Sequence, residues 1–243
     1  MPLHDAFKRL RETLLKGASC DGKADQEPDA DGVFRAGDWQ PASDRRRVEI
    51  MITGDPSRVK DVAGAVDKLQ EQIFHGSLGP GKVEIRLTGF LDGKCTHTSG
   101  WSDTPQNAAS QARRWQCYES RTQFAEAFAR SSTDMVDAIV IVGHKFDDNM
   151  REALRQADVL KKQGVRIFCF HVGDDPKSLA AFEQLSARTN GVCLQLTDKS
   201  SVEHVMPVLM AHLRGDDQML AALAPNHPDA VRLLHMLPSK DPV

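Results

Sequence analysis

Two loops of this sequence hold side chains that could ligate a metal ion, bind a phosphate or attack a carbonyl. The first, Thr53-Gly54-Asp55-Pro56-Ser57, stops the apolar run Val48-Glu49-Ile50-Met51-Ile52 and leads directly into a helical pattern. Asp55 offers a carboxylate and Ser57 a hydroxyl. Ser57 equally suits a helix N-cap, where its oxygen accepts from backbone N–H groups of the first turn. The second loop, Gly143-His144-Lys145-Phe146-Asp147-Asp148, follows the unbroken apolar stretch 137–143. His144 could act as base toward Ser57 or Asp55, provided one of their oxygens lies within ~3 Å of an imidazole nitrogen. Cys95, His97, Cys117 and His144 are the side chains that could hold zinc, although structural zinc normally uses closely spaced cysteine pairs. "GSLGPGKV", 76–83, approaches a phosphate-binding loop. It lacks the hydroxyl after the lysine and precedes a strand pattern instead of a helix N-terminus. G-x-S-x-G, H-E-x-x-H and C-x-x-C are all absent.

The elements around these loops alternate. Strands are expected at 47–53, 82–91, 137–143, 165–172 and 191–197. Helices are expected at 57–74, 106–115, 121–131, 148–163, 176–188 and 201–213, with shorter ones at 217–223 and 228–236. Val59, Val62, Val66, Leu69 and Ile73 share one side of the first of these helices. Residues 92–105 read as polar and irregular. Strands alternating with helices specify an α/β fold, a doubly wound and mostly parallel sheet with helices on both faces. Ligands of such sheets sit at the C-terminal strand edge, where strand order reverses. If the first strand is central, the loops after residues 52 and 142 meet there.

Ahead of this domain (46–213), residues 1–17 form an amphipathic helical pattern with Phe7, Leu10, Leu14 and Leu15 near one face. Residues 18–45 are rich in Asp, Gly, Ala and Pro and read as a flexible linker. Residues 214–243 read as a short helical tail. Composition narrows the function. The net charge of −3 over 243 residues argues against a nucleic-acid or membrane surface held by charge. The run Arg45-Arg46-Arg47 reads as a solvated strand entry. No stretch approaches the ~18 apolar residues of a membrane span, and the charged N-terminus lacks a signal-peptide core. Five scattered cysteines suit free thiols in a reducing compartment, so a cytoplasmic location is expected. Trp101 could be an exposed anchor for a partner or a plug on the sheet edge.

The order of elements, with these loops, resembles the von Willebrand factor A (VWA) domain over about residues 46–213. The resemblance implies a six-stranded Rossmann-like sheet with a metal-ion-dependent adhesion site (MIDAS) at its C-terminal strand edge. That site uses D-x-S-x-S after the first strand, a Thr opening a middle helix and an Asp after the fourth strand. "TGDPS" takes the place of the first motif. Thr53 falls on the first Asp, Asp55 on the first Ser and Ser57 on the second Ser. Thr122 in "ESRTQFAEAF" matches the Thr, and His144 in "IVIVGHKF" replaces the last Asp. The segments "TGDPSR", "TGFLDGKCTHTSGW" and "CYESRTQ" further resemble an uncharacterised group of bacterial VWA-like proteins.

Magnesium requires hard oxygen ligands, whereas imidazole favours softer transition metals. With Thr and His at the two aspartate positions, the resemblance implies a degenerate MIDAS. Asp55, Ser57 and Thr122 would hold Mg2+ or Mn2+ weakly if at all, and no cofactor is otherwise expected. Asp147 and Asp148 come one helical entry too late to replace the missing carboxylate. The resemblance thus implies a non-catalytic protein-interaction module whose unidentified protein partner contacts Thr53, Trp101, His144 and Asp147. The loops at 53–58, 92–105, 118–122 and 143–148 would form the binding face. A hydrolase using Ser57 or Asp55 with His144 is the alternative. A third possibility is a structural subunit whose upper face is covered by its own N-terminal helix or a second copy.

Overall fold

A computed structural model describes residues 45–53, 56–69, 82–91, 94–115, 122–196, 198–223 and 227–238. The N-terminal helix expected at 1–17 and the linker expected at 18–45, apart from Arg45, which opens β1, lie outside the described residues, as do Asp55 and Cys117. Six strands form one sheet: β1 (Arg45–Ile52), β2 (Lys82–Leu91), β3 (Lys94–Thr98), β4 (Ala138–Gly143), β5 (Arg166–His171) and β6 (Cys193–Gln195). Their order is β3-β2-β1-β4-β5-β6. All neighbouring pairs are parallel except β2 with β3. The order reverses between β1 and β4, so their C-terminal ends open the crevice that such a sheet uses for ligands.

Strand alternation sends side chains to two separate cores. On one face Val48, Ile50, Ile52, Val140 and Phe170 pack under α1 (Pro56–Leu69), α2 (Pro105–Ala112), α6 (Val202–Arg214) and α8 (Pro228–Met236). On the other, Met51, Ile139, Ile141 and Cys169 pack under α3 (Phe124–Thr133), α4 (Met150–Lys162) and α5 (Pro176–Arg188). The expected stripe of α1 is buried at Val59, Val62, Val66 and Leu69; Ile73 lies outside the described residues. A short helix, α7 (Asp217–Leu223), joins α6 to α8. The segment read as a tail adds Ala230 and Leu233 to the core, both fully buried.

One expectation is corrected. β3 falls within the stretch 92–105 read as irregular. Its sequence, Lys-Cys-Thr-His-Thr, carries no large aliphatic residue, because an antiparallel edge strand needs less apolar surface than a central one. The basic run 45–47 forms the first residues of β1, with Arg46 exposed, in keeping with a solvated strand entry. Arg47 spends its charge locally, donating from Nε to Glu84 at 3.0 Å, while the Asp137 carboxylate accepts from the Arg47 backbone N–H at 2.6 Å.

β1 also carries a fully buried carboxylate, Glu49, in the middle of the sheet. Four donors surround it. Arg86 Nη2 at 2.7 Å and Ser131 Oγ at 2.6 Å serve one oxygen. Thr88 Oγ1 at 2.6 Å and Arg130 Nη2 at 2.7 Å serve the other. A buried charge this well supplied with donors is tolerable where an unpaired one would not be. Arg86 and Thr88 come from β2, and Arg130 and Ser131 from α3, so the cluster fastens α3 across the sheet.

Candidate functional site

The C-terminal edge of the sheet is built here from the ends of β1 and β4 and the start of α3. The Thr53 backbone N–H donates to the Val142 carbonyl at 3.0 Å, carrying β1–β4 pairing one residue past the strand. The loops after residues 52 and 142 therefore meet, as the topology requires. Gly143 makes the approach possible. A Cβ added there would stand 1.7 Å from Thr53 Oγ1 and 2.9 Å from the Thr53 carbonyl. Only glycine leaves room for Thr53 at this crossing.

Thr122, nearly fully buried, precedes α3. Its backbone N–H and its hydroxyl both donate to Asp147 Oδ1, at 2.6 and 2.8 Å. The Asp147 N–H donates back to Thr122 Oγ1 at 3.2 Å. Lys145 Nζ lies 3.2 Å from Asp147 Oδ2. Partial burial pushes the Asp147 carboxyl upward, but the two Thr122 donors and the Lys145 ammonium prevail and hold it below the usual carboxylate range. Asp148 accepts the Ala125 N–H of the first turn of α3 at 3.0 Å. Adjacent aspartates thus satisfy the exposed donors at the helix start, where the dipole also favours negative charge.

The 144–149 loop is held from the other side as well. The Phe146 N–H donates to Ser178 Oγ at 2.8 Å, and Asp175 caps α5 by accepting from Lys177 and Ser178 N–H groups. The Phe146 ring stacks on Phe124 with centroids 5.3 Å apart and meets Phe182 edge-on. Asn149 caps α4 through the Glu152 N–H at 3.3 Å. The loop is a braced strut between α3 and α5. His144 is half-buried at the edge, and the Lys145 side chain remains 40 % exposed.

Several buried polar atoms at this end of the sheet make no well-formed hydrogen bond among the described residues: Thr53 Oγ1, Gln123 Oε1, His144 Nδ1 and both ring nitrogens of His171, which has only a weak interaction with the His144 backbone. His171 ends β5 beside Gly143 and is fully buried, its ring tilted against Phe182. Burial depresses its pKa, against the opposing pull of the His144 backbone and Asp175. Sequence reasoning missed His171 because it ends an apolar run that looks like pure core. It missed Glu49 for the same reason.

The sequence-predicted site is thus partly assembled. Thr53, Thr122, His144 and Asp147 share the C-terminal edge. Asp147, expected to fall too late, is the residue that reaches Thr122. Ser57 lies in the first turn of α1, but its side chain, like all of Asp55, lies outside the described residues. Trp101 is elsewhere. It stacks over the Arg86 guanidinium, 4.4 Å from ring centroid to Cζ, with Arg47 at 5.5 Å. Both arginines sit well back from the strand ends, so Trp101 is a half-buried cover on the charged cluster rather than a contact on the upper face. His97 faces Trp115 at 6.1 Å; Cys95 is in β3, its side chain outside the described residues. Among the described residues, no three His, Cys, Asp or Glu side chains are grouped to hold a metal. The "GSLGPGK" segment leads into β2, not a helix.

For magnesium, the fit of the described residues is poor. Thr53 brings no charge, His144 brings imidazole, and the Thr122 hydroxyl is already spent on Asp147.

Neither a protein-family model nor a curated protein matches the sequence. Among solved structures, the chain is similar to the SpRpn10 VWA domain, with a TM-score of 0.49 and 13 % identity over 65 % of this chain and 94 % of that one. It is also similar to the TFIIH p34 N-terminal domain, with a TM-score of 0.45 and 10 % identity over 67 % and 95 %. A third likeness is to the human COPII-coat protein Sec24c, with a TM-score of 0.47 and 7 % identity over 70 % of this chain and 32 % of that one. The likeness is one of fold. No helix among the described residues is long and apolar enough to cross a membrane.

Proposed function

We propose that this chain is a non-catalytic, VWA-like protein-interaction module that binds a protein partner without a metal ion. The binding face consists of the loops at 53–58, 118–122 and 143–148, with Thr53, His144 and Asp147 on it and Trp101 excluded. One observation carries the proposal: Thr122, Asp147 and Lys145 close on one another. The hydroxyl that a metal would use is committed within the protein. A tethered Lys145 ammonium stands beside the Asp147 carboxylate. The braced 144–149 loop presents a preformed surface, and a preformed surface loses little conformational entropy on binding.

The test is a thermal-unfolding titration of chelator-stripped protein with magnesium, manganese and zinc, beside Thr122→Ala, together with partner capture with and without chelator. A metal bound only by the folded state at a hundredfold excess over Kd adds ~2.7 kcal/mol of stability. The expected result is no midpoint shift with magnesium or manganese, and capture that resists chelation but fails in His144→Ala. A magnesium shift abolished by Thr122→Ala would overturn metal independence. Esterase or phosphatase activity lost in His144→Ala would overturn the non-catalytic assignment.

A further inference from the structure

Two histidines outside the residues discussed so far lie flat against each other. The rings of His204, on α6, and His227, just before α8, have centroids 4.3 Å apart and planes 8° from parallel. His227 is also the N-cap of α8: its Nδ1 accepts the Asp229 N–H at 3.2 Å. A ring nitrogen that accepts a hydrogen bond must be unprotonated, so this cap exists only while His227 is neutral. We propose that the His204–His227 pair is a pH-sensitive latch that holds α8 on the domain near neutral pH and loosens it in mild acid.

Protonating His227 at Nδ1 turns the acceptor into a donor facing another donor. It also places positive charge at a helix N-terminus, the unfavourable end of the dipole. A second proton on His204 sets two cations face to face. Histidines change charge in this range, around pH 6.5. The groups around the pair set its bias. Asp198 attracts positive charge toward His227. Asp229, fully buried, is paired with Arg232 Nη1 at 2.7 Å. Arg232 also donates to the Gln195 carbonyl at 3.2 Å, tying α8 to β6. On the α6 side, Glu203 is paired with Lys68 of α1. α8 is short and contributes Ala230 and Leu233 to the core, with Leu234 packed against it, so loss of its cap matters. Releasing it would uncover apolar surface on α6.

Amide hydrogen exchange on the full chain tests the latch. Protection factors for 230–234, corrected for intrinsic rate and referenced to 181–186 in α5, should fall about tenfold between pH 7.5 and 5.5. His227→Asn keeps a good capping acceptor that does not titrate, so its protection should be nearly independent of pH. His204→Phe keeps a stacked ring without charge and should show a smaller fall than the parent protein. In the unaltered protein, the Asp229 amide resonance should follow the titration of His227. A fall of less than about twofold, an undiminished fall in His227→Asn, or an Asp229 resonance that ignores His227 would each overturn the proposal.

Discussion

Replacing Glu49 by Gln tests the buried charge cluster and, through it, the mounting of α3. Gln has nearly the same shape, so packing is preserved while one oxygen becomes an amide NH2. That amide would face two of the four donors now served by the carboxylate, and the negative charge between two guanidinium groups would be gone. The cost falls unequally. The Arg130 side chain is 28 % exposed and can recruit water. The Arg86 side chain is only 8 % exposed and cannot. Its remaining ion pair, with Asp134 at 2.5 Å, reaches Nη1 alone. Breaking a buried pair from one side typically costs ~3–5 kcal/mol, and partial solvation of Arg130 places this case near ~3 kcal/mol. Urea unfolding followed by circular dichroism reads the loss. With a slope of ~2 kcal/mol/M, the midpoint should drop by about 1.5 M. Glu49→Met combined with Arg86→Met removes both charges and should recover at least half of the drop. A midpoint change below about 0.5 M for Glu49→Gln would refute the inference that this carboxylate organises the sheet–helix contact.

Gly143→Ala forces a methyl group into Thr53, and a loss of ~2 kcal/mol is expected by the same denaturation assay, only partly relieved by Thr53→Ala, because the Thr53 backbone also obstructs. Asp147 has a folded-state pKa below its unfolded value, so its contribution is present above pH ~4 and disappears as pH falls through the folded value. Asp147→Asn should therefore lose ~1 kcal/mol at pH 7 and nothing relative to the parent once acid has protonated Asp147 in the parent, which paired unfolding curves at neutral and acid pH would show. His171 is also depressed on folding, so the neutral ring supports stability above pH ~6.5 and that support is lost as pH falls through the folded value. His171→Phe should flatten the decline in stability between pH 7 and 5; an unchanged decline would show that His171 takes up its proton without cost.

The sequence by itself determined the elements whose signal is local. The apolar run 137–143 announced β4, which runs from Ala138 to Gly143 and is buried throughout. The 3.6-residue stripe of α1 and the bounds of α5 and α8 were equally legible, because propensity, periodicity and capping act over a few residues. The meeting of the loops after 52 and 142 followed from topology rules alone. Tertiary structure decided the rest. β3 is a strand because β2 offers it an edge, not because its own residues demand one. Glu49 and His171 sit in apolar runs, and their burial became visible only when neighbouring strands and helices closed around them. Thr122 and Asp147 are separated by 25 residues in sequence, and no periodicity links them. The two meet because β4 lies beside β1 and α3 packs across both, bringing the loop after β4 against the start of α3. Trp101 went the other way for a related reason: the antiparallel return of the chain along β2 carried it back from the strand ends onto Arg86. Hydrophobic patterning fixes which face a side chain takes, whereas pairing polar side chains requires the three-dimensional register of several elements at once.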